Sequence, residues 1–340
     1  MNIKTEITKL HYKKDPEGFF FNMLRFCSVF YGLGSGFKNF LYDKNIFHPT
    51  KVNAKVISVG NLTTGGVGKT PVVNAIANYL IKKGHKVAII SRGYGGKLSN
   101  KNVNVISDGE KVFVNSKMAG DEPYWHATNS SAIVITCKDR VRAAKFVIEN
   151  FGVTHIVLDD GFQHRKIFRD INIVLADSEK WFGNECLLPA GPLREGKEAF
   201  NRIDKLVVVS KNHDHTKADK LVKIMSKKMQ LPTFLCKTEP DITYDLFSGE
   251  ILPNGQKVTT LCAIAQPEQF INFVKKNYEV VNSRIFDDHH AYCAEDLNDL
   301  GNLPIVTTEK DAVKLKEFCV KNIYALKLKV SLDVESLLER

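Results

Sequence analysis

One stretch limits what this chain can fold into more than any other: Gly60-Asn61-Leu62-Thr63-Thr64-Gly65-Gly66-Val67-Gly68-Lys69-Thr70. Before it, Lys55-Val56-Ile57-Ser58-Val59 reads as a strand. After it, Val72, Val73, Ile76, Tyr79 and Leu80 recur at helical spacing up to Gly84, a C-terminal stop. Glycines let such a loop curl so that successive N–H groups face phosphate oxygens, and the helix that follows adds a favourable dipole. Lys69 can reach the β- and γ-phosphates, the Thr70 hydroxyl can ligate Mg²⁺, and Pro71 occupies the first helical turn, where its missing N–H costs nothing. The strict P-loop pattern has glycine where Thr63 stands, but the core from Gly65 to Thr70 keeps its strand-to-helix context. We read Thr63, Thr64, Gly65, Gly66, Val67, Gly68, Lys69 and Thr70 as a nucleoside triphosphate site; the alternative is a tight turn with an incidental lysine.

Apolar runs at Val87–Ile90, Ala132–Thr136, His155–Leu158, Ile171–Ala176 and Leu206–Ser210 read as strands, with a helix over about Asp139 to Glu149. Such runs alternating with helices predict a largely parallel sheet covered on both faces. After residue 211 come a Lys-rich helix (Lys217 to Lys228), a Pro253-Asn254-Gly255 turn, a strand at Ile305–Thr308 and a helix through Ala312, Val313 and Leu315. The expected fold is α/β: an N-terminal segment over 1–50, a P-loop NTPase-like, mostly parallel domain over 51–211, and a smaller α/β domain over 212–340 whose C-terminal residues can pack back on the first. Ile156-Val157-Leu158 runs directly into Asp159-Asp160-Gly161-Phe162-Gln163-His164. A carboxylate at the C-terminal end of a strand faces the crevice where open parallel sheets bind ligands, and adjacent carboxylates concentrate charge that a cation relieves. Asp159 or Asp160 is therefore expected beside Thr70 at a Mg²⁺ ion.

With 340 residues, 44% hydrophobic and 25% charged, the chain is too long for one ordinary domain and too apolar to be disordered. Its net charge of +10 calls for an anionic partner: nucleic acid, a membrane surface or a phosphorylated substrate. No zinc finger, helix-turn-helix or stacking motif accompanies the charge, so nucleic acid ranks last. Seven cysteines without a CxxC pair indicate free thiols rather than disulfides or zinc. The first fifty residues crowd Phe19, Phe20, Phe21, Met23, Leu24, Phe26, Phe30, Phe37 and Phe40 together, but Arg25 and Lys38 interrupt the run and Gly32, Gly34 and Gly36 loosen it. It falls short of the about 20 apolar residues that span a bilayer, and no signal-peptide cleavage site follows. Aromatic bulk among basic residues suits an interfacial helix on an anionic leaflet or a core-packing N-terminal helix.

Six motifs in order resemble the tetraacyldisaccharide 4′-kinase family, the lipid A 4′-kinases (LpxK). They are Gly60-Asn61-Leu62-Thr63 running into Gly68-Lys69-Thr70-Pro71, Ser91-Arg92-Gly93-Tyr94-Gly95, Gly120-Asp121-Glu122-Pro123, Asp159-Asp160-Gly161-Phe162-Gln163-His164, Leu188-Pro189-Ala190-Gly191-Pro192-Leu193-Arg194-Glu195 and Thr307-Thr308-Glu309-Lys310-Asp311. Thr63 in place of glycine is part of that family's pattern. The resemblance implies an ATP- and Mg²⁺-dependent enzyme on the cytoplasmic face of the inner membrane. It would phosphorylate the 4′-hydroxyl of a lipid A disaccharide 1-phosphate precursor in a cleft between two domains, with the helix over 18–42 docked on an anionic membrane. It further implies that Glu195 joins the metal shell, that Arg194 contacts phosphate, and that Asp121 is the catalytic base, paired with a histidine for which Asp288-His289-His290 offers His289 ahead of His290. Arg92, Tyr94, Gln163 and His164 are expected to line the acceptor or nucleotide side. Without the resemblance, Asp121 reads as a helix cap, Asp288-His289-His290 as a turn and Arg194-Glu195 as a surface ion pair. His85, His126 and His155 are expected to be structural or surface groups.

Two rivals remain. A membrane-cycling regulatory ATPase of the Min/ParA kind also joins a GGVGKT-type loop to a membrane helix, but carries a signature lysine where this chain has Thr63-Thr64. A soluble small-molecule kinase fits if the aromatic N-terminus is core.

Overall fold

The computed structural model describes residues 3–211, 214–264, 266–288, 290–298 and 300–339. Its elements are α1 (Ile3–His11), α2 (Phe19–Asp43), β1 (Lys55–Asn61), α3 (Lys69–Lys82), β2 (Val87–Ser91), β3 (Asn104–Ser107), α4 (Ser116–Ala119), α5 (Asp121–Asn129), β4 (Ile133–Thr136), α6 (Arg140–Phe151), β5 (His155–Asp159), β6 (Ile171–Asp177), β7 (Lys205–Ser210), α7 (Thr216–Met229), β8 (Thr233–Asp245), β9 (Lys257–Cys262), α8 (Pro267–Val274), β10 (Glu279–Ile285), β11 (Ile305–Thr308), α9 (Glu309–Leu315), β12 (Ile323–Ser331) and α10 (Val334–Leu338).

The strands form one sheet in the order β10-β9-β11-β12-β8-β7-β6-β1-β5-β2-β4-β3. Neighbours from β4 across to β8 are parallel, and β3 closes that end as an antiparallel edge. β8 belongs to both halves: its start pairs in parallel with β7, and from Lys237 to Asp245 it runs antiparallel to β12. Beyond β12, strands β11, β9 and β10 are again parallel. The sheet is thus continuous past residue 211, and α7, just after that point, packs on β7 and β8.

The central strands are apolar on both faces because both faces are covered. Ile57 and Val59 of β1 pack with Val72, Val73 and Ile76 of α3, whereas Val56 with Ile156 and Leu158 of β5 packs against Val141, Ala144 and Val147 of α6. Asp139 caps α6 through Val141 N, and Gly152 ends it in the left-handed conformation. At the C-terminus α10 returns to α3, where Glu335 accepts from the Tyr79 hydroxyl at 3.0 Å and from Lys83 at 2.8 Å.

The chain leaves β1 towards β5 and β2 and later returns on the other side as β6, which makes β1 the point where strand order reverses. Ligands of open parallel sheets bind outside the carboxyl ends of strands at such a point. The phosphate loop and the Asp159-Asp160 pair both lie there.

α2 runs unbroken through Gly32, Gly34 and Gly36 instead of loosening at them. At Gly32 the missing side chain serves close approach, since a Cβ would stand 2.8 Å from Leu187 Cδ1. Phe21, Leu24 and Ser28 form its narrow buried face, while Phe19, Phe26, Phe30, Leu33 and Phe37 are between 62% and 88% exposed. Among the described residues no helix is long and apolar enough to cross a membrane.

Candidate active site

Gly65 and Gly68 adopt φ of +107° and +98°, a conformation L side chains rarely take, and so turn the chain from β1 into α3. Among the described residues α3 has no side-chain N-cap, so its first-turn N–H groups are left for a ligand. Gly65 through Thr70 line a cleft of about 780 Å³, with Arg92, Tyr94, Glu122, Asp159, Asp160 and Arg194 around the phosphate end. Thr63 and Thr64 instead brace the loop. Thr63 is buried and bridged to Leu193, Thr64 N donates to Pro192 O at 2.8 Å, and its carbonyl accepts from the Tyr12 hydroxyl at 3.2 Å.

Lys69 Nζ donates to Asn61 Oδ1 at 3.0 Å and pairs with Asp160 Oδ1 at 3.4 Å, and Arg194 grips both Asp160 oxygens at 2.9 Å. Asp160 has φ +52°, a left-handed conformation that aspartate tolerates better than most residues. That twist parts neighbouring carboxylates: Asp160 turns out to Lys69 and Arg194, while Asp159 turns in to His126, 3.3 Å away. Burial raises the Asp160 pKa, but Lys69 and Arg194 outweigh it and hold this carboxyl below its ordinary value. Glu122 is shifted the opposite way, pushed up by burial and then by the charge of Asp159, against the pull of Lys310 and Lys69.

Not every expected residue reaches this cleft. Glu195 does not line the cleft and is ion-paired with Arg202. Gln163 and His164 lie behind β1 rather than in the cleft: Gln163 Nε2 donates to Asn61 O at 3.0 Å, and burial, with the charges of Arg140 and Lys38, lowers the His164 pKa to about 4. Asp121 opens α5 facing α9, with its Oδ2 2.9 Å from Lys314 Nζ. His290 is committed to Asp296 at 2.8 Å and stacks on Phe286, while His289 lies outside the described residues. The rings of His85 and His155 lie against each other in a tilted pair at the opposite ends of the strands.

Several contributors escape sequence reasoning. Glu122 and Asn61 stand inside quoted motifs but carry no distinguishing spacing. Lys211, at the end of β7, donates to Gly66 O at 2.6 Å and pairs with Asp177 at 3.1 Å, and Gln266 reaches the same carbonyl at 3.3 Å from the start of α8. Only the sheet order brings these two to the loop.

The acidic end suits Mg²⁺. Asp159 Oδ1 is buried without a hydrogen-bond partner among the described residues, and Asp160 and Thr70 line the same cleft. The described residues hold no cluster of three acidic, histidine or cysteine ligands. Mg²⁺ needs none, because it binds one or two carboxylates and completes its shell with water and substrate phosphates.

A parallel sheet switching at β1, an uncapped helix behind a glycine loop, and a lysine and an arginine converging on a carboxylate define a P-loop nucleotide-binding protein. The model of the family described as tetraacyldisaccharide-1-P 4′-kinase, LpxK, matches residues 20–340. A tetraacyldisaccharide 4′-kinase of Syntrophus aciditrophicus is 37% identical over 314 residues, covering 86% of this chain and 84% of the relative. One from Desulfotalea psychrophila is 35% identical over 294 residues, covering 83% and 84%. The crystal structure of LpxK from Aquifex aeolicus in complex with ATP superposes with a TM-score of 0.78 at 31% identity, covering 94% of this chain and 97% of that one. The chain belongs to the tetraacyldisaccharide 4′-kinase family.

Proposed function

We propose that the cleft transfers the γ-phosphate of ATP to the 4′-hydroxyl of a tetraacyldisaccharide 1-phosphate, a lipid A precursor, with Mg²⁺, at the cytoplasmic face of the inner membrane. The convergence of Lys69 and Arg194 on Asp160 beside the phosphate loop, in a chain of this family, is the observation that carries the reading. Lys69 is poised between Asn61 and Asp160 and exchanges them for phosphate oxygens when nucleotide enters. Thr70, Asp159 and Asp160 would hold Mg²⁺, which neutralises charge on the β- and γ-phosphates when bound. Glu195 drops out of that shell, since its carboxylate is satisfied by Arg202. Arg194, Arg92 and Tyr94 orient phosphate and acceptor. Asp121, which pairs with Lys314, takes the proton of the attacking hydroxyl.

α2 lies on the same side. Its Tyr31 hydroxyl donates to Arg194 O at 2.9 Å, Lys38 donates to Gln163 O at 3.1 Å, and Ser28 Oγ donates to Leu187 O at 2.9 Å. A helix that offers an aromatic face outward and touches both catalytic loops inward suits an enzyme drawing its acceptor from an anionic leaflet. On this reading 1–50 is the docking segment, 51–211 the nucleotide domain and 212–340 the domain that closes the cleft.

Incubation with γ-labelled ATP and a tetraacyldisaccharide 1-phosphate in detergent tests the proposal. Label in the lipid supports it, whereas release of free phosphate alone would mark a regulatory ATPase.

A further inference from the structure

Two cleft residues on two elements, Asn74 and Asp159, share one buried neighbour. His126 lies on α5, four residues after Glu122, and is 0% exposed. Its Nδ1 stands 3.3 Å from Asn74 Oδ1 and its Nε2 3.3 Å from Asp159 Oδ2. Asn74 gives its amide N–H to Asn129 O at 2.8 Å, so Oδ1 is what it offers the ring. On α3, Asn74 follows Thr70 by four residues and shares its helix face. Asp159 ends β5 with one oxygen on His126 and the other, Oδ1, buried without a partner among the described residues.

An apolar side chain would fill this volume without the cost of burying a polar ring, which is recovered only through its two contacts. Those contacts join α3 to β5 beneath the cleft. We propose that His126 is a positioning residue for the metal–nucleotide complex: it fixes Asp159 through Oδ2 so that Oδ1 faces the cleft, and it ties Asp159 to the α3 turn that carries Thr70. The inference rests on the reading above that Asp159 and Thr70 hold Mg²⁺.

Three variants separate positioning from packing. His126→Asn keeps a polar atom near Asn74 but is too short for Asp159, His126→Gln reaches Asp159, and His126→Leu fills the space with neither contact. The readout is Mg²⁺ titration of fluorescent ATP-analogue binding, alongside kcat, KM for ATP at saturating Mg²⁺ and thermal unfolding. The Asn and Leu variants should raise the half-saturating Mg²⁺ concentration by ~10–100-fold, the usual effect of losing an outer-sphere partner, with KM for ATP at saturating Mg²⁺ unchanged. The Gln variant should stay near the parent. Parent-like Mg²⁺ dependence in the Asn and Leu variants, or a Gln variant as impaired as Leu, overturns the inference. If nucleotide binding by the parent is indifferent to Mg²⁺ and to Asp159→Asn, the metal reading itself fails, and this is visible before any His126 variant is made.

Discussion

Lys69 has two side-chain partners, and each can release it at small cost, because Asn61 keeps its own bond to Thr63 O and Asp160 keeps Arg194. Replacing Lys69 by Ala should therefore lower kcat by about a hundredfold or more, the scale of losing one preorganised charge at a transition state, with little change in the unfolding midpoint. A variant retaining most of its turnover would refute the role. The adjacent acids of α5 make a sharper comparison. Asp121→Asn should cost about 10²–10⁴ in kcat as a lost general base. Glu122→Gln should cost much less, because burial and the charge of Asp159 shift this carboxyl towards the neutral form that Gln mimics. The reverse ranking would move the base from Asp121 to Glu122. Both residues start from Gly120, whose φ of +91° and whose absent Cβ, which would lie 2.5 Å from Tyr94 O, lock α5 against the loop of Arg92 and Tyr94. At this scale the sequence was legible where chemistry needs contiguous residues, as at Lys69-Thr70 and Asp159-Asp160. It carries no sign that Glu195, next to Arg194, pairs with Arg202.

Among elements, α9 carries a titration that its position explains. Glu309 opens α9 against β8 and β12; burial, with repulsion from Asp241, lifts its pKa from 4.5 to about 7 against the pull of Lys327. The folded state thus holds a proton that the unfolded chain has released above pH 4.5. Its stabilising contribution is complete below that value and is lost as pH rises through about 7. Glu309→Gln should leave the unfolding midpoint nearly unchanged at pH 4.5 and raise it relative to the parent at pH 8. Equal pH slopes for parent and variant would show that Glu309 is not buried as described. The parallel strands of the first half were readable because both of their faces are covered and their runs are uniformly apolar, whereas the four-residue antiparallel edge β3 was not. β10 has no fully buried position, and the latter part of β12 none either, so neither carries a continuous apolar run to stand out as a strand.

On the scale of the whole molecule, the N-terminal helix cannot simply be removed. Its buried Phe21 and Leu24 pack on Ala190, and Ser28 Oγ accepts from Ala190 N at 3.1 Å, within the loop that carries Arg194. Deleting it would disturb the phosphate site together with any membrane contact, so loss of activity in such a deletion could not distinguish the two. Phe26, Phe30 and Phe37 lie on the other side of α2 and are 65%, 62% and 65% exposed. Replacing all three by Ser leaves the loop contacts untouched and removes apolar surface next to Arg25 and Lys38. Burying one such side chain is worth about 1.5–3 kcal/mol, so binding to vesicles containing anionic phospholipid should fall by at least about tenfold, while ATP binding in detergent stays at the parent level. Raising the salt concentration should weaken the parent's binding to these vesicles, because the basic residues contribute through a screened attraction. Vesicle binding unchanged by the three substitutions would reassign the aromatic face to some other contact, and the acceptor lipid would then have to reach Arg194 and Asp121 without this helix as its guide.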